Sequence, residues 1–277
     1  MALSDPTPFN RLITLALGTL RPPPGRPRIA LAVAYGVTCH LLFASAVAAM
    51  IIAMFFGMSK SWGTLAAPWS HAANAFLILQ FPLTHSFLLG PQGRRILSRL
   101  APDGHGRTLS TTTYATIASV QLLMLFAFWT PSGVVWWQAD GALFWIICTA
   151  YASAWLLLIK ASYDAGAEVQ SGALGWMSLM QKIKPVFPDM PTGGLFRFMR
   201  QPIYLSFALT LWTVPVWTPD QLFLAISLTA YCLLAPLRKE RRFQSLYGER
   251  FEQYRRVTPY MIPALPRADT KHETPAE

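Results

Sequence analysis

Between Arg28 and Lys60 the chain reads IALAVAYGVTCHLLFASAVAAMIIAMFFGMS, residues 29–59, with no Asp, Glu, Lys or Arg. A helix needs about 20 mostly apolar residues to cross the hydrocarbon of a bilayer. This run is longer than that and has no polar face to turn toward water, so it predicts a membrane span over 29–58. The same reading carried along the chain finds further charge-free intervals. They predict spans over 69–89, 112–131, 141–160, 202–218 and 220–237. Pro68 sets the start of the second span. Pro202 suits the first turn of the fifth, and Pro219 marks a tight turn into the sixth. The fold class expected is all-α, a polytopic transmembrane bundle of about six spans.

Composition agrees with that reading. Hydrophobic residues are 53% of the chain and charged residues 13%, against about 25% charged in a soluble domain. The net charge of +10 has a topological origin. With six spans, 22 of the 23 Lys and Arg fall on one side, and only Lys60 falls on the other. Positive residues mark the cytoplasmic side, so both termini are expected there, in a bacterial inner membrane. The bilayer is then the partner the charge implies, and no nucleic acid is expected. Trp62, Trp69, Trp129, Trp136, Trp137 and Trp217 sit at the predicted outer loops, as an interfacial aromatic belt does. Cys39, Cys148 and Cys232 lie singly in apolar runs, which is neither a disulfide framework nor a metal-ligand spacing.

The organisation expected is a basic, Pro-rich cytoplasmic tail over 1–28, a membrane domain over 29–263, and a disordered polar tail over 264–277. The loop 161–200 contains a possible interfacial helix at 174–183. After the last span, Phe243, Leu246, Tyr247, Phe251 and Tyr254 recur at helical spacing. They predict an amphipathic cytoplasmic helix over 239–256 that folds back over the bundle.

The same region holds the chemistry. Arg200 and Tyr204 begin the fifth span and Glu240 follows the sixth, so a tight hairpin brings them together. An Arg can fork a carboxylate, a Glu can accept from hydroxyls or an ammonium, and aromatic faces can hold a sulfonium. Those are the groups of S-adenosylmethionine. On these features alone the plainer reading, basic residues at the inner ends of membrane helices, is favoured.

Four elements in order narrow the choice. They are Arg200-Gln201-Pro202-Ile203-Tyr204, then Glu240, then Tyr247-Gly248-Glu249-Arg250-Phe251-Glu252-Gln253-Tyr254, then 259–263, PYMIP. With Gln80-Phe81-Pro82 to Ser86, Phe128 to Pro131, and Leu211-Trp212-Thr213-Val214-Pro215, they resemble the membrane methyltransferases of the isoprenylcysteine carboxyl methyltransferase superfamily. Within it they resemble the methanethiol S-methyltransferase and NnrU-related group. The resemblance implies an S-adenosylmethionine-dependent methyltransferase acting on a small thiol or a lipid-soluble acceptor. It also implies a donor site of Arg200, Gln201, Pro202, Tyr204, Glu240, Arg241 and Tyr254, with His85 and Trp212 as candidates for the acceptor pocket. No single residue is marked as catalytic. The family pattern has His at position 201 and Asp at position 242, where this chain has Gln201 and Arg242. An isoprenylcysteine or lipid acceptor, a haem-binding redox protein and a non-catalytic scaffold therefore stay open as alternatives.

Overall fold

The structure is a computed structural model and describes residues 7–102 and 104–264. Eleven α-helices form it: α1 Pro8–Gly18, α2 Arg26–Phe55, α3 Trp69–Leu88, α4 Pro91–Leu97, α5 Gly106–Ala127, α6 Gly141–Asp164, α7 Ala167–Gln170, α8 Ala173–Gln181, α9 Pro202–Trp212, α10 Pro219–Tyr247 and α11 Glu249–Val257. The strands β1 Trp137–Gln138 and β2 Val216–Trp217 pair antiparallel. Proline starts many of these helices, where its fixed φ is preorganised and its missing N–H costs nothing. At two of the starts a threonine hydroxyl also caps the first turn: Thr7 Oγ1 accepts from Asn10 N, and Thr218 Oγ1 accepts from Gln221 N at 2.9 Å.

Four helices are long and apolar enough to cross a membrane: α2, α5, α6 and α10. The pair α3–α4, bent by 89° at its break, is a fifth if the two helices are counted as one broken span. Large apolar side chains such as Val37, Leu83, Trp145, Leu156 and Leu234 face outward. In water that would be a liability; toward lipid tails it is the expected surface. The protein is a multi-pass integral membrane protein.

Several boundaries differ from those read in the sequence. The segment 202–218 is helical only as far as Trp212. Its 11 residues cover about 16 Å, half of a bilayer core, and the rest turns through Pro215 into β2. The helix expected over 239–256 is two pieces. α10 runs unbroken to Tyr247, the chain breaks at Gly248 with φ +53°, and α11 follows. The 1–28 tail contains α1. The polar tail, apart from Ala264, lies outside the described residues.

The loop 161–200 departs most. Its helix α8 is not laid on a surface but packed between α2 and α5. A Cβ on Gly172 would meet Ala115 and Cys39, and one on Gly175 would meet Thr112 and Thr111. Thr112 Oγ1 donates to Gly172 O at 2.6 Å and accepts from Trp176 N at 2.9 Å. Trp176 Nε1 donates to His40 Nε2 at 3.0 Å, which gives the histidine inside α2 its partner.

The main core fills the half of the bundle away from the basic helix ends. Met54, Met58, Phe126, Trp129, Leu211 and Leu224 are fully buried there. Asp220, in the first turn of α10, ties that end together. Its carboxylate accepts from Trp129 Nε1 at 3.0 Å and from Ser132 N at 2.9 Å, and the helix N-terminus favours its charge. In mid-bundle Gln80 and Gln121 exchange hydrogen bonds between α3 and α5, including Gln121 Nε2 to Gln80 Oε1 at 2.7 Å. Such pairs hold spanning helices in register where water cannot compete.

Candidate active site

Below the basic ends the helices do not close. They leave a cavity of about 600 Å³ walled by α2, α3, α5, α9 and α10, with α4 and α7 at its rim. Ligand pockets commonly fall in the range of about 300–1,000 Å³. Three cations border it, Arg94, Lys239 and Arg242, and among the described residues no Asp or Glu lines it. Phe81, His85, Tyr114, Tyr204 and Tyr231 form a connected group of rings. His85 lies 4.9 Å from Tyr114 and 5.0 Å from Phe81, and Tyr231 lies 6.0 Å from Phe81 and 6.3 Å from Tyr204. The Nδ1 of His85 is buried and has no hydrogen-bond partner in the protein. A buried polar atom left alone is costly, so this nitrogen is available to a group bound in the cavity.

The residues expected at the donor site divide into two groups. Tyr204 lines the cavity, as does the acceptor candidate His85. Arg200, Gln201, Glu240 and Tyr254 surround a separate void of about 10 Å³, room for a water at most. There they satisfy one another. Arg200 Nε donates to Glu240 Oε1 at 2.8 Å, and Gln201 Nε2 donates to the same oxygen at 2.8 Å. Arg200 Nη1 also donates to the carbonyls of Arg255 and Thr258, and its own N–H donates to Pro259 O at 2.9 Å. Tyr254 donates to Phe196 O at 2.7 Å, and burial pushes its phenol above the usual range. The group is a seam that fastens the carboxy-terminal segment to the bundle.

Lys239 belongs to both places. Its Nζ donates to Gln201 Oε1 at 3.3 Å and lies over the rings of Phe196 and Phe243, while its side chain also borders the large cavity. Gln201 thus bridges Glu240 and Lys239 through its two amide atoms. A titratable group is not needed for that, since an amide both donates and accepts.

Three expected residues line neither space. Pro202 is buried in the first turn of α9. Arg241 is exposed. Trp212 is 43% exposed, and its Nε1 donates to Thr229 Oγ1 at 2.9 Å. Sequence reasoning missed Arg94, Tyr114, Lys239 and Arg242 as cavity residues. For α10 the signal was present: Tyr231, Lys239 and Arg242 are spaced to share one face of a helix.

The fold and the site define an all-α integral membrane protein with a cationic, aromatic-walled chamber between its spans. The comparisons narrow this class. Methanethiol S-methyltransferase 2 of Bradyrhizobium diazoefficiens is 27% identical over 192 residues, 69% of this chain and 73% of that protein. The methanethiol S-methyltransferase of Pseudomonas deceptionensis is 24% identical over 212 residues, 76% and 78% of the two chains. That of Mycobacterium tuberculosis is 27% identical over 210 residues, 72% and 81%. No family model matches, and no solved structure matches. The chain is a homologue of proteins named methanethiol S-methyltransferase.

Proposed function

We propose that the protein is a membrane methyltransferase that moves a methyl group from S-adenosylmethionine to the sulfur of a small thiol. The observation that carries the reading is the composition of the cavity wall. Three cations, a cluster of aromatic rings and an unpartnered imidazole meet in one chamber that has no lining carboxylate. The homologues' names point to the same chemistry.

The chamber fits the donor better than the seam does. The donor brings an activated methyl group on a sulfonium. Arg94, Lys239 and Arg242 are placed to hold its carboxylate, and the faces of Tyr114, Tyr204 and Tyr231 can take the sulfonium. Arg200, Gln201 and Glu240 act one step back, holding Lys239 and the end of α10 in place. The Nδ1 of His85 accepts the hydrogen bond of the acceptor's S–H, and the surrounding positive charge favours the thiolate that must attack. Apolar walls exclude water, so the protein mainly aligns and desolvates two reactants. The basic ends of the helices are cytoplasmic by the positive-inside rule, which opens the rim toward the soluble donor in a bacterial inner membrane.

The test is direct. Purified protein in nanodiscs receives methyl-labelled S-adenosylmethionine and methanethiol, and the labelled sulfide is collected from the headspace. Label in the sulfide supports the reading. A folded protein that binds no donor by calorimetry and releases no labelled sulfide overturns it.

A further inference from the structure

The cavity has a deep half whose lining is almost wholly apolar. Its lining on α5 runs from Ser110 to Leu122, about 18 Å at 1.5 Å per residue. The polar groups gather near Ser110–Tyr114. Beyond them come Ala115, Ala118, Ser119 and Leu122, and the Ser119 hydroxyl is already spent on Ala115 O at 2.7 Å. On α2 the lining is Phe43, Ala46, Val47 and Met50, about 10 Å of helix without a polar side chain. Space exists here because alanines, Ala46 on α2 and Ala115 and Ala118 on α5, stand where larger residues would fill it. Phe43 is 37% exposed, so this part of the wall borders the lipid side.

We propose that the deep half receives the hydrocarbon chain of the acceptor, and that the substrate is a lipid-soluble thiol of several carbons. The inference rests on the methyl-transfer reading and adds the substrate class. Sulfur sits at His85, the chain runs toward Met50, and the chemistry is unchanged. The S–H bond breaks, an S–CH₃ bond forms as the donor's S–CH₃ bond breaks, and the proton passes through His85 to water. An apolar lining suits a chain, because each methylene buried there contributes binding without a polar group to satisfy.

The experiment is a competition. Nanodisc-embedded protein is given S-adenosylmethionine with methanethiol and 1-hexanethiol together, and both methyl sulfides are quantified by mass spectrometry. The wild type should prefer hexanethiol by about tenfold or more, as burial of several methylenes predicts. Ala46→Phe and Ala118→Phe, on the two neighbouring helices α2 and α5, each place a ring in the deep half. In whichever of them keeps the wild-type melting temperature, the hexanethiol-to-methanethiol ratio should fall at least about tenfold. Partitioning into lipid cancels in that ratio of ratios. A wild type that prefers methanethiol, or a folded variant with an unchanged ratio, overturns the inference. No turnover of either thiol overturns the methyl-transfer reading and the inference with it.

Discussion

Arg200 and Glu240 form a forked ion pair, Nε to Oε1 at 2.8 Å and Nη2 to Oε2 at 3.3 Å, that locks the entry of α9 to the far end of α10. Their side chains are 10% and 12% exposed. At that burial, removing one partner leaves the other charge stranded, which commonly costs about 3–5 kcal/mol.

Glu240→Ala should therefore lower the melting temperature of the detergent-purified protein clearly, whether or not donor is present. Arg200→Ala with Glu240→Ala should lose less than the sum of the single changes, since neither charge is then left alone. Additive losses in that cycle would dissolve the pair as a structural unit.

Arg242→Ala keeps the seam intact and removes a cation from the chamber. Donor affinity by calorimetry should weaken by about 10–100-fold, the worth of a charge-assisted hydrogen bond. Decarboxylated S-adenosylmethionine should bind wild type and variant alike. Equal weakening toward both ligands would remove Arg242 from the carboxylate.

His85→Gln should leave donor affinity within about twofold and lower kcat by about 100-fold, the lower range for loss of a positioned proton acceptor. Glutamine can accept a hydrogen bond from the thiol but cannot take its proton. Full activity in this variant would reduce His85 to a wall of the pocket.

Asp189 and Arg250 form an ion pair between the 183–193 segment and α11. The Arg250 hydrogen bond holds the Asp189 carboxyl below its usual range. A carboxyl depressed in the folded state contributes stability above its unfolded pKa and loses it as pH falls through the folded value. The tether should be complete above about pH 4 and weaken as pH falls from there through the lower folded value. Cutting of 183–193 by an acid protease, scaled to its cutting of an unstructured peptide at the same pH, should then rise in wild type as pH is lowered from about 5, and Asp189→Asn should remove that rise.

How far the sequence could be read depended on the kind of signal. Spans are long apolar runs, and α2, α5, α6 and α10 lie where charge-free intervals put them. The position of α8 could not be read this way. Its packing between α2 and α5 depends on Gly172 and Gly175 meeting Thr112 and Ala115 from a distant helix, and periodicity carries no such information. The site was half legible. Tyr204 and His85 reach the cavity, and the residues Arg200, Gln201 and Glu240 do come together, but around one another. Arg241 and Arg242 are one residue apart, about 100° around a helix, and only the face shared with Tyr231 and Lys239 marks the second, a signal the motif comparison passed over. Arg94 was read only as a marker of orientation, because a basic residue at a helix end has that use in any membrane protein.

The clamp at Asp220 has a consequence for traffic. With Trp129 and Ser132 held there and Met54, Met58 and Leu224 packed beside them, the bundle is filled at the end away from the basic residues that border the chamber. On the proposed methyl transfer, a charged coproduct would leave past the basic residues, whereas an uncharged sulfide could dissolve sideways into the hydrocarbon. On that proposal the protein would act as a phase-transfer catalyst. It joins a reagent from water to one from oil, and sends each product home to its own solvent without moving a helix to expose the other side.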